Sequence, residues 1–146
     1  MTLDKDVALF QANELLGQFE PEALRLIAFS SEAREFKMGA TLFKEGEHSD
    51  CGYLITAGYV TVSGDGRIDT IGPGALLGET ALFASTQRPV TATARENVTA
   101  RRIPRHLIKR VLDEYPGTTP QLRAYFASRL TSLNRTLMTI DQLLPG

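Results

Sequence analysis

The stretch Leu76–Ala94, LLGETALFASTQRPVTATA, is small and apolar almost throughout, yet it carries one acid, Glu79, and one base, Arg88. Gly78 precedes the acid, and Pro89, which has no backbone N–H, follows the base. Burying an ion is costly unless it meets a partner, so a core-like run needs a reason to hold two. One reading pairs Glu79 with Arg88 in a structural salt bridge. The other turns both toward a ligand. If Gly74–Gly78 is a strand end and Glu79–Phe83 a single helical turn, the first N–H groups of that turn have no partner inside it. They then point into the neighbouring space, which suits an anion. Gly78 lets the backbone approach a ligand closely. Arg88, returning on the far side of the loop, adds a permanent forked charge suited to phosphate. Glu79 would repel a phosphate and is better used accepting from a sugar hydroxyl. An anion cradle beside a hydroxyl acceptor, set between apolar strands, describes a phosphorylated sugar carrying a flat base.

Outward from this stretch the chain is punctuated at short intervals. From Arg34 to Pro104 the runs REFKM, TLFKE, YLIT, YVTVS, RIDTI, GALLG, VTATA and TARRI are separated by Gly39, Gly46, the Gly58 turn, GDG at 64–66 and GPG at 72–74. Tyr59, Thr61 and Ser63 alternate with Val60 and Val62, a half-buried strand pattern. GDG fits a tight hairpin and GPG a wider corner. About eight short strands at this spacing point to a jelly roll or small barrel. On both sides the period becomes helical. LDKDVALFQANELLGQF (3–19) spaces Val7, Phe10, Leu15, Leu16 and Phe19 for a helix, and PEALRLIAFSS (21–31) puts Pro21 at a first helical position. After Pro104, RHLIKRVLDEY is amphipathic and stops at PGTTP. The segment 121–144 then carries Phe126, Leu130, Leu133, Leu137, Ile140 and Leu144 at heptad spacing. The expected class is α+β, one domain over 1–146. N-terminal helices occupy 1–31, the β-barrel 34–104 with the ligand loop at 74–91, and C-terminal helices 105–144.

Composition narrows the function. Lys and Arg number 16 against 17 Asp and Glu, so there is no basic excess to bind a nucleic-acid backbone. RRIPRHLIKR (101–110) reads as a strand end and one solvated helix face. The single cysteine, Cys51, excludes an internal disulfide and a cysteine-rich metal site. His48 and His106 lack metal-ligand company, and Asp50–Cys51 reads as a turn pair. No run approaches the length of a membrane span, and MTLDKDVALF lacks a signal peptide's apolar centre, so a cytoplasmic protein is expected. No nucleophile–base pair or catalytic carboxylate pair can be assembled, and no enzyme activity, metal or cofactor is expected.

Leu77-Gly78-Glu79-Thr80-Ala81-Leu82 followed by Arg88-Pro89-Val90-Thr91 resembles the phosphate-binding cassette of cyclic nucleotide-binding domains, as in kinase A regulatory subunits, gated channels and the catabolite activator protein. LFKEGEHSDCGYLITAGYVTV (42–62), IGPGALLGE (71–79) and RRIPRHLIKRVLDEYP (101–116) resemble the family in the same order. The resemblance implies a jelly-roll barrel with a hinge helix and a long C-terminal helix. It implies that Glu79 binds the ribose 2′-hydroxyl, that Arg88 binds the cyclic phosphate, and that backbone groups of Gly78, Thr80 and Ala81 complete the cradle beside Leu77, Pro89 and Val90. Leu76, Leu77, Val60 and Val62 are the candidates for lining the base pocket. By the same alignment Leu133 and Asn134 reach the base. Two positions depart from the family: Leu77 replaces the usual Phe, and Pro89 replaces a small residue whose N–H helps hold the phosphate. A hydroxyl at position 89 favours cGMP in the family, so cAMP is expected here. The expectation is a stand-alone, non-catalytic sensor. It would signal through its C-terminal helices to a second copy, by a homodimer seam over 121–144, or to an unidentified effector protein, since neither a helix-turn-helix nor a membrane segment is seen. The alternative is a nucleotide-free relative acting as a protein-interaction scaffold.

Overall fold

The computed structural model describes residues 2–128. Helix α1 (Thr2–Ala12) is shorter than its apolar spacing predicts. The reason is Asn13, whose side-chain Oδ1 accepts from the N–H groups of Leu15 and Leu16, each at 3.1 Å. Asparagine competes with the helix ladder in this way and ends it. The chain resumes as a 3-10 turn, Leu16–Gln18, and Phe10, Leu15, Leu16 and Phe19 are buried despite the break. Asn13 Nδ2 also donates to Gly74 O at 3.1 Å, tying the N-terminal helices to the corner that leads into the candidate site. Helix α2 (Pro21–Ser30) starts on its proline and buries Ala23, Leu24, Ile27 and Ala28.

Among the described residues ten strands follow: β1 (Glu32–Phe36), β2 (Thr41–Phe43), β3 (His48–Ser49), β4 (Cys51–Ala57), β5 (Val60–Gly64), β6 (Arg67–Ile71), β7 (Leu76–Leu77), β8 (Thr86–Gln87), β9 (Thr91–Ala94) and β10 (Val98–Pro104). The count exceeds the expected eight because β3 and β8 pair only with each other. At two residues each they are too short to show an alternation. The remaining strands form two four-stranded antiparallel sheets, ordered β1-β10-β4-β7 and β2-β9-β5-β6. Leu54 and Ile55 are consecutive on β4 and both fully buried, which only a strand covered on both faces allows. Ile55 joins the core between the sheets with Phe43, Val60, Leu77, Ala92, Val98 and Ala100. Leu54 joins a second core on the helical side with Phe10, Leu24, Ile27, Leu82, Phe83, Ile103 and Ile108. The architecture is therefore mixed: antiparallel sheets with helices layered on one of them. The GDG hairpin has positive φ at Asp65 (51°) and Gly66 (73°), the backbone that matches strand twist in a two-residue turn.

Helix α3 (Arg105–Glu114) follows β10 directly and buries Leu107, Ile108, Val111 and Leu112. A 3-10 turn, Pro116–Thr118, leads to helix α4 (Thr119–Ala127). Of the heptad positions, Phe126 is described. It is buried against Phe83, ring centroids 5.3 Å apart and edge to face. The heptad from Leu130 onward, with Leu133 and Asn134, lies outside the described residues. No helix among the described residues is long and apolar enough to cross a membrane.

Candidate functional site

Residues 76–94 fold as a strand end, a turn and a return. Leu76–Leu77 pairs with Tyr53 and Leu54 of β4. Gly78 then turns the chain at φ +80°, a conformation that costs an L-residue about 1–2 kcal/mol. Thr80–Leu82 forms one 3-10 turn. Its ladder begins with Ala81 N–H on Gly78 O at 3.0 Å. That hydrogen bond occupies one of the three amides expected in the cradle and leaves Thr80 N–H outside the turn's own ladder. Beyond β8 the backbone of Arg88 is pinned on both sides. Its N–H donates to Glu47 O at 2.7 Å, and its carbonyl accepts from Gly46 N–H at 2.8 Å.

These segments enclose a cavity of about 130 Å³ lined by Phe43, Ser49, Leu77, Gly78, Glu79, Thr80, Ala81, Thr86, Arg88, Pro89 and Val90. Leu77 through Ala81 and Arg88 through Val90 thus meet on one wall system. Leu76 does not; it turns toward Asn13, Glu14 and Tyr125 on the helical side. Val60 is fully buried in the core between the sheets and is unavailable to a ligand. Val62 opens instead on a neighbouring recess that shares Pro89 and Val90 with this cavity.

Arg88 dominates the electrostatics. It is 5% exposed, and no ion pair among the described residues includes it. Its Nη2 lies 3.4 Å from Cys51 Sγ, a weak acceptor, and its Nη1 is buried with no hydrogen-bond partner. The guanidinium carbon sits 4.2 Å from the Phe43 ring centroid, a cation–π contact worth about 0.5–2 kcal/mol. The salt bridge to Glu79 considered from sequence is therefore not formed. Phe43 is in turn backed by Tyr53, rings nearly parallel at 6.2 Å. Burial raises the Tyr53 phenol above its usual range, with the adjacent Cys51 adding to the shift, so it is a neutral ring near pH 7. A buried arginine with one unsatisfied donor is an exception among native structures. Left bare, such a donor costs about 1–3 kcal/mol, and an oxyanion in the cavity would satisfy it.

Three contributors were invisible in the motif. Cys51 and Phe43 come from distant strands and flank the guanidinium. The third is Arg105, the first residue of α3, read from sequence as part of a solvated basic face. Its Nη1 donates to Ser49 O (3.0 Å), Ala81 O (3.2 Å) and Ala84 O (3.1 Å), while its backbone N–H meets Asp50 O at 2.8 Å. The cation thus caps the carbonyl end of the cassette turn and fastens it to α3. Arg101 is likewise engaged, donating to Ala28 O and Ser31 O at the end of α2. Carbonyl acceptors leave no trace in residue type, which is why neither role could be read in advance. Among the described residues no group of His, Cys, Asp and Glu is arranged to hold a metal ion.

Comparison with known proteins follows the same outline. The family model of the cyclic nucleotide-binding domain matches residues 33–115. The "CRP-like cAMP-activated global transcriptional regulator" of Mycobacterium tuberculosis is 30% identical over 124 residues, covering 81% of this chain and 55% of the regulator. The "Lysophospholipase nte1" of Aspergillus terreus is 28% identical over 139 residues, covering 91% of this chain and 9% of the enzyme. The chain thus spans under a tenth of that enzyme's length and about half of the regulator's. Among solved structures, a "cyclic nucleotide-binding-like protein" from Brucella abortus superposes with TM-score 0.66 at 38% identity, over 74% of this chain and 97% of that one. The N-terminal domain of a transcriptional regulator from Streptomyces coelicolor gives 0.76 at 28% identity, over 87% and 92%. With the cassette folded around a buried arginine and the family match spanning more than half of the sequence, the chain belongs to the cyclic nucleotide-binding domain family.

Proposed function

We propose that this protein is a cyclic nucleotide sensor, with cAMP as its ligand, and that it has no catalytic step of its own. The observation that carries the reading is the Nη1 of Arg88, buried and without a partner at the wall of the cavity. The cyclic phosphate would accept from this donor and from the cassette amides, and the ribose 2′-hydroxyl would donate to Glu79. The two sheets would form the family's jelly-roll barrel around the pocket. The preference for cAMP is supported by Pro89, which offers no hydroxyl to a guanine, and by a relative described as cAMP-activated. Phosphate capture would draw the cassette inward. Arg105 links the turn to α3, and Phe83 links it to α4 through Phe126, so the C-terminal helices would shift with it and pass the signal to a second copy or another protein. The coupling requires different ligand affinity in the two positions of the helices, typically a difference of about 1–3 kcal/mol. Calorimetry of nucleotide-stripped protein with cAMP and cGMP tests the reading. Binding at micromolar or lower concentration is expected, tighter for cAMP. Neither heat nor a thermal shift at millimolar ligand would overturn it.

Pro89 makes a separate expectation. It is exposed at the cavity rim and lacks the N–H that most family members use on the phosphate. Pro89→Ala returns that donor, and the neighbouring backbone is already fixed by the Arg88 hydrogen bonds to Gly46 and Glu47. One added hydrogen bond to a charged acceptor is expected to tighten cAMP by up to about tenfold, measured as the ratio of dissociation constants. Unchanged or weaker binding would show that the amide at 89 does not reach the phosphate.

A further inference from the structure

A recess of about 410 Å³ adjoins the Arg88 cavity, and the two share Pro89 and Val90. Its walls differ in kind. Val62, Pro89 and Val90 are apolar; Asp65, Arg67 and Asp69, on the β5–β6 hairpin, are charged. The hairpin lies close over the Pro89–Val90 segment, since a Cβ at Gly64 would stand 3.0 Å from both Pro89 O and Val90 Cγ1.

The register of the hairpin gives Asp69 its direction. Val60 pairs with Ile71 and Val62 with Asp69. Directly opposed residues project to the same face of a sheet. Val60, Val62 and Ile71 belong to the core between the sheets, so Asp69 shares their inward face. Its neighbour Ile68 points outward and is 75% exposed. Toward the hairpin tip β6 therefore inverts the usual arrangement, carboxylate inward and isoleucine outward. No ion pair among the described residues engages Asp65, Arg67 or Asp69. A sheet gains nothing in stability from this inversion, whereas a ligand with a flat apolar face and a donor on its edge would use it.

We infer that Asp69 determines base specificity: the recess takes the base, which lies on Val62, Pro89 and Val90 and donates its exocyclic amino group to the Asp69 carboxylate. The inference rests on the cyclic nucleotide reading above and goes further by naming the base edge and the group that reads it. The ligand class is a 6-aminopurine nucleotide. The C6 amino group of adenine donates to an ionised carboxylate, which only accepts. Hypoxanthine carries an oxo group at the same place, and a second acceptor facing the carboxylate leaves both unsatisfied.

The test compares cAMP with cIMP, which differ at this position, and with cGMP, in the wild type, Asp69→Ala and Asp69→Asn. The site is exposed, so neither variant should disturb folding; unchanged thermal midpoints without nucleotide verify that. The wild type is expected to prefer cAMP over cIMP by about tenfold to a hundredfold, the range for a hydrogen bond to a charged group. Asp69→Ala is expected to bring the two within about threefold by weakening cAMP. Asp69→Asn, whose amide both donates and accepts, is expected to narrow the gap by improving cIMP. A cAMP-to-cIMP ratio that survives Asp69→Ala overturns this inference and leaves the sensor reading standing. A wild-type preference for cGMP that Asp69→Ala removes reassigns the carboxylate to guanine and also overturns it. Failure of the wild type to bind any cyclic nucleotide overturns both.

Discussion

Arg88→Met is expected to lower cAMP affinity by at least about a hundredfold and, without nucleotide, to raise the thermal midpoint. The first effect follows from the loss of the permanent charge and of the charge-assisted hydrogen bonding it would give the phosphate, worth about 1.5–3 kcal/mol per bond. The second follows from what the guanidinium lacks among the protein's own groups. It is 5% exposed, its Nη1 has no partner, and its Nη2 reaches only a thiol. A buried charge without a counter-ion is held at a cost, and an apolar side chain of similar length removes that cost. The cation–π contact with Phe43 opposes the gain, but methionine sulfur also packs well against an aromatic ring. The net gain should be about 1 kcal/mol, or roughly 2–4 °C for a domain of this size. Scanning fluorimetry with and without cAMP reads both effects. The ligand-induced shift should vanish while the unliganded baseline rises. A baseline that falls instead would mark Arg88 as a structural residue and remove the main support for a phosphate site. Arg88→Lys keeps the charge and loses the fork, so it should fall between the two proteins in affinity.

The opposite pulls on Arg88 also explain which parts of this molecule sequence could reveal. A charge set in an apolar run is a conflict between local composition and expected burial, and such conflicts concentrate at functional sites. Glu79 and Arg88 were visible for that reason, and the glycine and proline beside them located the turn. The β-hairpin was visible because GDG permits one kind of turn. What was hidden depends on partners distant in sequence. Arg88 and the thiol it leans on are 37 residues apart. Arg105 acts on carbonyls 21, 24 and 56 residues away, and a basic residue on an amphipathic helix looks the same whether it caps a buried turn or faces water. Alternation placed Val60 and Val62 on one face of β5 without showing that the core would claim Val60 and only Val62 would reach the recess. Asn13 is a further case. The apolar spacing through it stayed helical, while its side chain formed hydrogen bonds that ended the helix and reached Gly74.

Gly78→Ala should damage both binding and stability, by a steric route. At φ +80° alanine already incurs about 1–2 kcal/mol of backbone strain. Its Cβ would also stand 3.1 Å from Cys51 O, 3.4 Å from Gly52 Cα and in collision with Arg88 Nη1. Cys51 and Gly52 are backbone of β4 and hold their place in a paired strand. The guanidinium must therefore yield, and it has little room between Phe43 and Cys51. The variant should lose about 2–3 kcal/mol of stability and at least about tenfold in cAMP affinity, because the displaced fork no longer matches the phosphate. Strain and collision separate in a double-mutant cycle. With Arg88→Met as background, the flexible thioether can move from the new methyl, and the stability cost of Gly78→Ala should shrink toward the strain alone. Neighbouring residues that share a contact give such non-additivity, whereas independent sites do not. Denaturant unfolding of the four proteins measures it. A cost that is the same in both backgrounds would mean that Gly78 serves the turn only. A smaller cost beside methionine would mean that the missing side chain at 78 is what lets the arginine stand where an anion can meet it.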